Sequence, residues 1–151
     1  MGDAHSKPVG NSGDSIDLTI GSRLEQLAMV HALIEGLARQ YEWNEESANA
    51  LMIAVIEAGT NAIQHGNVFA EDKAVTFHFK VRADDVTVQV DDFGKGFNPD
   101  RVRKPTDAEQ LLNPHGRGLY LMRSLMDEVT FRMRDDRGTT VVLRKAFMRD
   151  R

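Results

Sequence analysis

Residues 54–67 read AVIEAGTNAIQHGN, and this stretch decides the fold. Together with the residues before it, it forms a helical pattern running from about Glu45 to His65. Leu51, Met52, Val55, Ile56, Gly59, Ala62 and Ile63 fall on a packing stripe, while Glu57, Asn61 and either Gln64 or His65 follow the other side. Glu57 and Asn61 are one helical turn apart and point the same way. Such a pair reads either as a solvated polar face or as part of a site. The small neighbours Ala54, Ala58, Gly59 and Ala62 favour the site, because a helix that packs this closely turns its polar members into a cleft. Asn44 reads as the N-cap, Glu45 and Glu46 supply first-turn negative charge, and Gly66-Asn67 reads as the stop.

Working outward, Leu24 to Tyr41 carries a broad apolar stripe at helical spacing, and Ser15 to Ile20 alternates as a first strand. After the central helix, Val75, Phe77, Phe79 and Val81 alternate with polar residues, as do Val86, Val88 and Val90, with a turn at Asp84-Asp85 between them. A second hairpin runs from Val129 to Lys145 around Asp135-Asp136-Arg137-Gly138. Between the hairpins lie the polar residues 98–115, read as a lid loop, and then a helix over Gly118 to Asp127. Met122, Met126 and Met133 read as core filler. Residues 1–14 read as a flexible tail and 15–147 as one domain. Helices segregated from antiparallel hairpins specify an α+β, two-layer sandwich.

Two glycine-rich turns carry the remaining chemistry. Asp91-Asp92-Phe93-Gly94-Lys95-Gly96-Phe97 follows a strand. It is either a plain turn or a place where Gly94 and Gly96 supply positive φ and let backbone approach a ligand, with Asp92 accepting from an exocyclic amine. His115-Gly116-Arg117-Gly118-Leu119 opens a helix. It is either an incidental junction or an anion site using backbone N–H groups and the helix dipole, with Arg117 on a phosphate or merely on the surface. It lacks the Lys-Ser/Thr ending of a P-loop and the parallel βαβ setting of a dinucleotide fingerprint. Gly138-Thr139-Thr140 enters the last strand, where a threonine is able to touch a bound base.

Composition closes off other classes. The 151 residues are 41% hydrophobic and 28% charged, with net charge -4, which argues against nonspecific nucleic-acid binding. The absence of cysteine removes disulfides, zinc-thiolate sites and cysteine nucleophiles, and fits a cytoplasmic protein. No apolar run approaches the roughly 20 residues of a membrane span.

Taken together, these residues resemble the GHKL, or histidine-kinase-like, ATPases. The helix with Glu57 and Asn61 is similar to the family's N box. Asp92-Phe93-Gly94-Lys95-Gly96 resembles its first glycine box and Gly116-Arg117-Gly118-Leu119 its second, while Gly138-Thr139 resembles the pair before the final strand. The resemblance covers Ile16 to Lys145 and implies a Bergerat-type fold with a mixed, mainly antiparallel sheet covered by helices on one face. Within the superfamily the chain looks most like the small anti-sigma-factor serine/threonine kinases, through EAGTNAIQHGN and GRGLYLMRSLMDEV. That resemblance implies ATP and Mg²⁺ as cofactors, with Asn61 on the metal and Asp92 on adenine. Gly94, Gly96, Gly116 and Gly118 would line the phosphates and Thr139 would lie near the base. Glu57 would be the general base. It also implies a homodimer, a sigma factor as one partner and a STAS-domain antagonist as the phosphorylated one. A carboxylate at position 57 separates the chain from sensor histidine kinases. The competing expectations are a module that holds ATP and sequesters a partner without transferring phosphate, and a simple ATP hydrolase.

Overall fold

The computed structural model describes residues 13–94, 114–135 and 137–147. Strand β1 (Asp14–Gly21) leads through a short 3₁₀ turn (Leu24–Gln26) into α1 (Leu27–Gln40) and then α2 (Glu45–Asn61). The hairpin β2 (Ala74–Val81) and β3 (Asp85–Asp91) follows, then α3 (Pro114–Leu125), β4 (Glu128–Met133) and β5 (Thr139–Ala146). The sheet order is β1-β2-β3-β5-β4. Every pairing is antiparallel, which narrows the mixed sheet of the sequence reading to a purely antiparallel one among the described residues.

Alternation decides which face of the sheet is covered. Val75, Phe77, Phe79 and Val81 on β2 and Val86, Val88 and Val90 on β3 are buried, and Thr76, His78 and Lys80 turn the other way. The buried row meets Val30, Ile34 and Leu37 of α1, Leu51, Val55 and Ala58 of α2, and Met122 of α3 in one core. Gly59 lets α2 close onto this core, because a Cβ there would lie 2.7 Å from Leu27 Cδ2 and 3.0 Å from Phe77 Cζ. Trp43 closes one end by stacking on Phe147, with centroids 4.2 Å apart. Met122 and Met126 are core residues as expected, whereas Met133 is exposed.

The central helix begins as its sequence dictates: the Asn44 side chain accepts from the Ser47 N–H at 2.7 Å. Its end is less ordinary. Ala62–Gly66 widens into a π turn, and the Asn67 N–H donates to the Ala62 carbonyl at 2.8 Å. Gly66 stops the helix without adopting positive φ. The left-handed residues are instead Val68 (φ 52°) and Phe69 (φ 57°), both with exposed side chains.

Two boundaries shift. Asp14 belongs to β1, so the first strand begins a residue earlier than expected, and residues 1–12 of the expected tail lie outside the described residues. Residues 98–113 of the expected lid lie there too, while Pro114 and His115 belong to α3. Proline tolerates that first helical position because its missing N–H would have had no partner there.

Candidate active site

The end of α2, the exit of β3 and the start of β5 converge on one cleft, with α3 laid across it. Asn61, His65 and Gly66 line it from α2 and its π turn, Asp92 from the end of β3, Leu119 from α3 and Thr139 from β5. Four of the expected site residues, Asn61, Asp92, Leu119 and Thr139, therefore share one cavity although 78 positions separate the first from the last in sequence.

Asp92 is the most heavily built position. It is buried, and its Oδ1 accepts the N–H of Gly94 at 3.0 Å and of Thr139 at 3.2 Å. Its Oδ2 accepts no hydrogen bond among the described residues and lies against Gly66, where a Cβ would overlap the carboxylate. Burial raises the Asp92 pKa above the usual carboxylate value, and the two backbone N–H groups and the Arg134 guanidinium partly offset that. A carboxylate that lines the cleft with one oxygen held by two backbone N–H groups and the other without a donor among the described residues is a suitable acceptor for a ligand amino group.

The surrounding glycines all serve proximity, and one of them also serves unusual backbone. Gly94 has no positive φ, contrary to one of its two expected roles. A Cβ there would overlap the backbone carbonyl of Gly66, so the close approach to the α2 stop requires glycine. Gly138 does adopt positive φ (131°), and a Cβ there would overlap the Asp92 carbonyl oxygen. Lys95 and Gly96 lie outside the described residues.

Asn61 lines the cleft and Glu57 does not, but the two side chains meet beside it, beneath Gly118. A Cβ at position 118 would lie 2.8 Å from Glu57 Oε2 and 3.7 Å from Asn61 Nδ2, so the two side chains approach the same point. Both are half-buried. Here the structure corrects the expectation that Gly118 opens the helix. Because α3 starts at Pro114, Gly118 lies a full turn inside, past the first-turn N–H groups that an anion would use. Its glycine instead lets α3 lie directly over the α2 carboxylate. Gly116 remains in the first turn, and Arg117 is exposed on α3.

Two contributors escaped the sequence reading. Asn67, read only as a helix stop, is buried, and its amide donates to Ser22 Oγ (2.9 Å) and the Ala74 carbonyl (3.0 Å) while its oxygen accepts the Phe93 N–H (2.7 Å). It thus locks the end of α2 to the residues flanking Asp92. Its place directly after the helix stop was the one available signal. Arg134 is the second, and nothing in its local sequence marks it.

Among the described residues, no three His, Asp or Glu side chains stand together as a metal cluster. Magnesium chemistry is nevertheless compatible, since Mg²⁺ is commonly held by one or two protein oxygens together with substrate phosphates and water. Among the described residues, no helix is long and apolar enough to cross a membrane.

Comparison with known proteins agrees with this geometry. Residues 20–145 match the model of the histidine kinase-like ATPase domain. The serine-protein kinase RsbW of Bacillus subtilis is 34% identical over 143 residues, covering 89% of this chain and 87% of that protein. The serine-protein kinase RsbW of Bacillus licheniformis is 32% identical over 146 residues, covering 93% and 90%. A crystal structure of the RsbU and RsbW domains of a Mycobacterium tuberculosis protein superimposes with TM-score 0.66 at 17% identity, over 91% of this chain and 33% of that one, and so supports the fold. A matched region spanning the Asp92 corner and the Glu57–Asn61 pair, with relatives aligned over most of their length, establishes that the chain belongs to the histidine kinase-like ATPase domain family.

Proposed function

We propose that this chain is an ATP-dependent serine/threonine protein kinase and anti-sigma factor of a partner-switching system. It sequesters a sigma factor and phosphorylates a STAS-domain antagonist of that sequestration. The observation carrying this reading is the convergence of Glu57 and Asn61 beneath Gly118, with Asn61 lining the same cleft as Asp92. Its similarity to serine-protein kinases over most of the chain supports the same conclusion.

In this reading Asp92 Oδ2 accepts the adenine amino group, and Thr139 flanks the base. The Asn61 amide oxygen would hold Mg²⁺, which would neutralise phosphate charge. The backbone at Gly94, Gly116 and Leu119 would border the phosphates, and Arg117, exposed on α3, would meet the outermost charge. ATP supplies the γ-phosphoryl group. Glu57 takes the proton of the partner's serine or threonine hydroxyl as that oxygen bonds to the γ-phosphorus and the bond to the β–γ bridging oxygen breaks. Positioning and charge neutralisation dominate such a transfer, so a short set of residues is sufficient. The single domain spans residues 15–147 and acts in the cytoplasm as a homodimer. Its contact surface is β1 and α1, where β1 is an edge strand of the sheet.

The test is transfer of labelled γ-phosphate to purified STAS-domain proteins by wild type and Glu57→Ala. A lost general base should lower transfer by about 10²–10⁴-fold while ATP affinity stays within about twofold. Equal transfer by both proteins would remove Glu57 from its role. ATP binding by wild type without transfer to any STAS partner would leave a module that holds nucleotide and partner only.

A further inference from the structure

Arg134 follows β4, in the turn before β5, outside every motif discussed above, yet its guanidinium reaches back to Asp92. Nη2 donates to the Asp92 carbonyl. Nη1 donates to the Thr139 carbonyl at 3.3 Å and to Thr140 Oγ1 at 3.1 Å, and pairs with Asp91 Oδ1 at 3.3 Å. The same group covers the Phe93 ring at 5.0 Å from its centroid. Only 16% of the side chain is exposed, against 15% for Asp91.

A hairpin staple would account for the bonds to Thr139 and Thr140. It does not account for the rest, because Arg134 also contacts three consecutive residues, 91, 92 and 93, on a different hairpin. Those are the residues that present the Asp92 carboxylate, and Thr139 is one of its two backbone donors. The turn is also shaped around this contact: a Cβ at Gly138 would overlap the Asp92 carbonyl and lie 2.5 Å from Arg134 Nη2. The planar fork suits the task, since lysine cannot serve several oxygens in one plane.

We infer that Arg134 is a positioning residue for the base-binding carboxylate: it fixes residues 91–93 against β5 and holds Asp92 as an acceptor, selecting a base that offers an amino group over one that offers a carbonyl. The inference rests on the reading that Asp92 meets adenine. The charge side follows from the groups around Asp92. Burial and the neighbouring Asp91 favour its protonated form, and the Arg134 cation opposes them. His65 lines the same cleft from the π turn, and His78 on β2 lies 3.2 Å from Asp91 Oδ2. A protonated carboxyl at position 92 would donate rather than accept, which suits a carbonyl such as that of guanine.

The experiment titrates ATP and GTP, with Mg²⁺, into wild type, Arg134→Gln, Arg134→Lys and Asp92→Asn between pH 5.5 and 8.5, with thermal melts to establish folding. Arg134→Gln should weaken ATP about tenfold, the scale of lost charge-assisted hydrogen bonds. It should narrow the ATP-over-GTP preference and move the acid-side loss of ATP binding to higher pH. Arg134→Lys, which keeps the charge without the fork, should restore the pH profile but only part of the affinity. A folded Arg134→Gln with wild-type affinity, preference and pH profile overturns the inference. So does one that loses ATP and GTP equally with its pH profile unmoved. If Arg134→Gln does not fold, an Arg134→Lys protein indistinguishable from wild type overturns it. Asp92→Asn that binds ATP normally overturns the reading of Asp92 itself, whereas Asp92→Asn that loses ATP beside an unchanged Arg134→Gln overturns this inference alone.

Discussion

The corner around Asp92 and the meeting point of Glu57 and Asn61 are built by different means. Around Asp92, three glycines (66, 94 and 138) admit the chain to distances that no side chain would allow; hydrogen bonds donated by Gly94, Thr139 and Arg134, and one that Asn67 Oδ1 accepts from the Phe93 N–H, fix the result. Around Glu57, two half-buried side chains stand on a regular helix, and a single glycine of α3 lies over them. One region is held by backbone against backbone, the other by a helix resting on flexible side-chain tips. The first is suited to recognising a constant part of a ligand. The second can adjust as a protein substrate arrives and departs. Substitutions in the first should therefore damage the fold or the binding, and those in the second should damage turnover with little cost to stability.

Gly94→Ala gives the largest expected effect. Its Cβ would overlap the Gly66 carbonyl, and backbone cannot step aside as a side-chain tip can. We expect a loss of more than about 3 kcal/mol in denaturant unfolding, together with loss of nucleotide binding. A loss below about 1 kcal/mol would mean that the corner is not rigid, and the contrast would fail. Asp92→Asn comes next and separates binding from stability. It should weaken ATP at least tenfold in titration, since hydrogen bonds to a charged group contribute about 1.5–3 kcal/mol. Stability should move the other way. Asp92 has its folded-state pKa raised by burial, so its protonated form favours the fold and its ionised form opposes it. That favourable contribution is present at low pH and lost as pH rises through the folded-state value. The neutral asparagine should thus melt at or above wild type at pH 8, with the advantage closing as the pH falls. A variant that melts well below wild type at pH 8 would show that the charge itself holds the corner together.

Much of this was legible in the sequence, and the part that was not has a physical cause. Period-two alternation at Val75–Val81 and Val86–Val90 marked the covered face of the sheet, and Asn44 marked the start of the central helix, because both signals are local. Glu57 and Asn61 were legible as a pair because helical geometry fixes their relation. The glycines were legible as special but not in their roles. Whether Gly94 serves a left-handed turn or a close approach depends on Gly66, which lies 28 positions earlier and reaches it only through the fold. The place of Gly118 was not legible because a glycine pair is a local signal for a helix start, whereas the helix begins at Pro114. Arg134 was invisible because an arginine beside a hairpin turn is ordinary, and its partners at 91–93 belong to another hairpin.

Gly118→Ala is the smallest change and the one that sharpens the contrast most. The new Cβ would come 2.8 Å from Glu57 Oε2, the far end of a flexible side chain, so the carboxylate can move while α3 stays in place. Replacing glycine inside a helix by alanine favours the fold by about 0.5–1 kcal/mol, which offsets the crowding. Stability should therefore be unchanged or slightly higher by denaturant unfolding, and ATP affinity should stay within about twofold because the Asp92 corner is untouched. Phosphoryl transfer should nevertheless fall by about ten- to a hundredfold, since displacing a reacting group by about 1 Å can lower a rate by two orders of magnitude. A stable protein with normal ATP binding and slow transfer would show that Gly118 serves the placement of Glu57. If stability collapsed instead, α3 and α2 would be joined as rigidly as the Asp92 corner, and the two regions would not differ in kind.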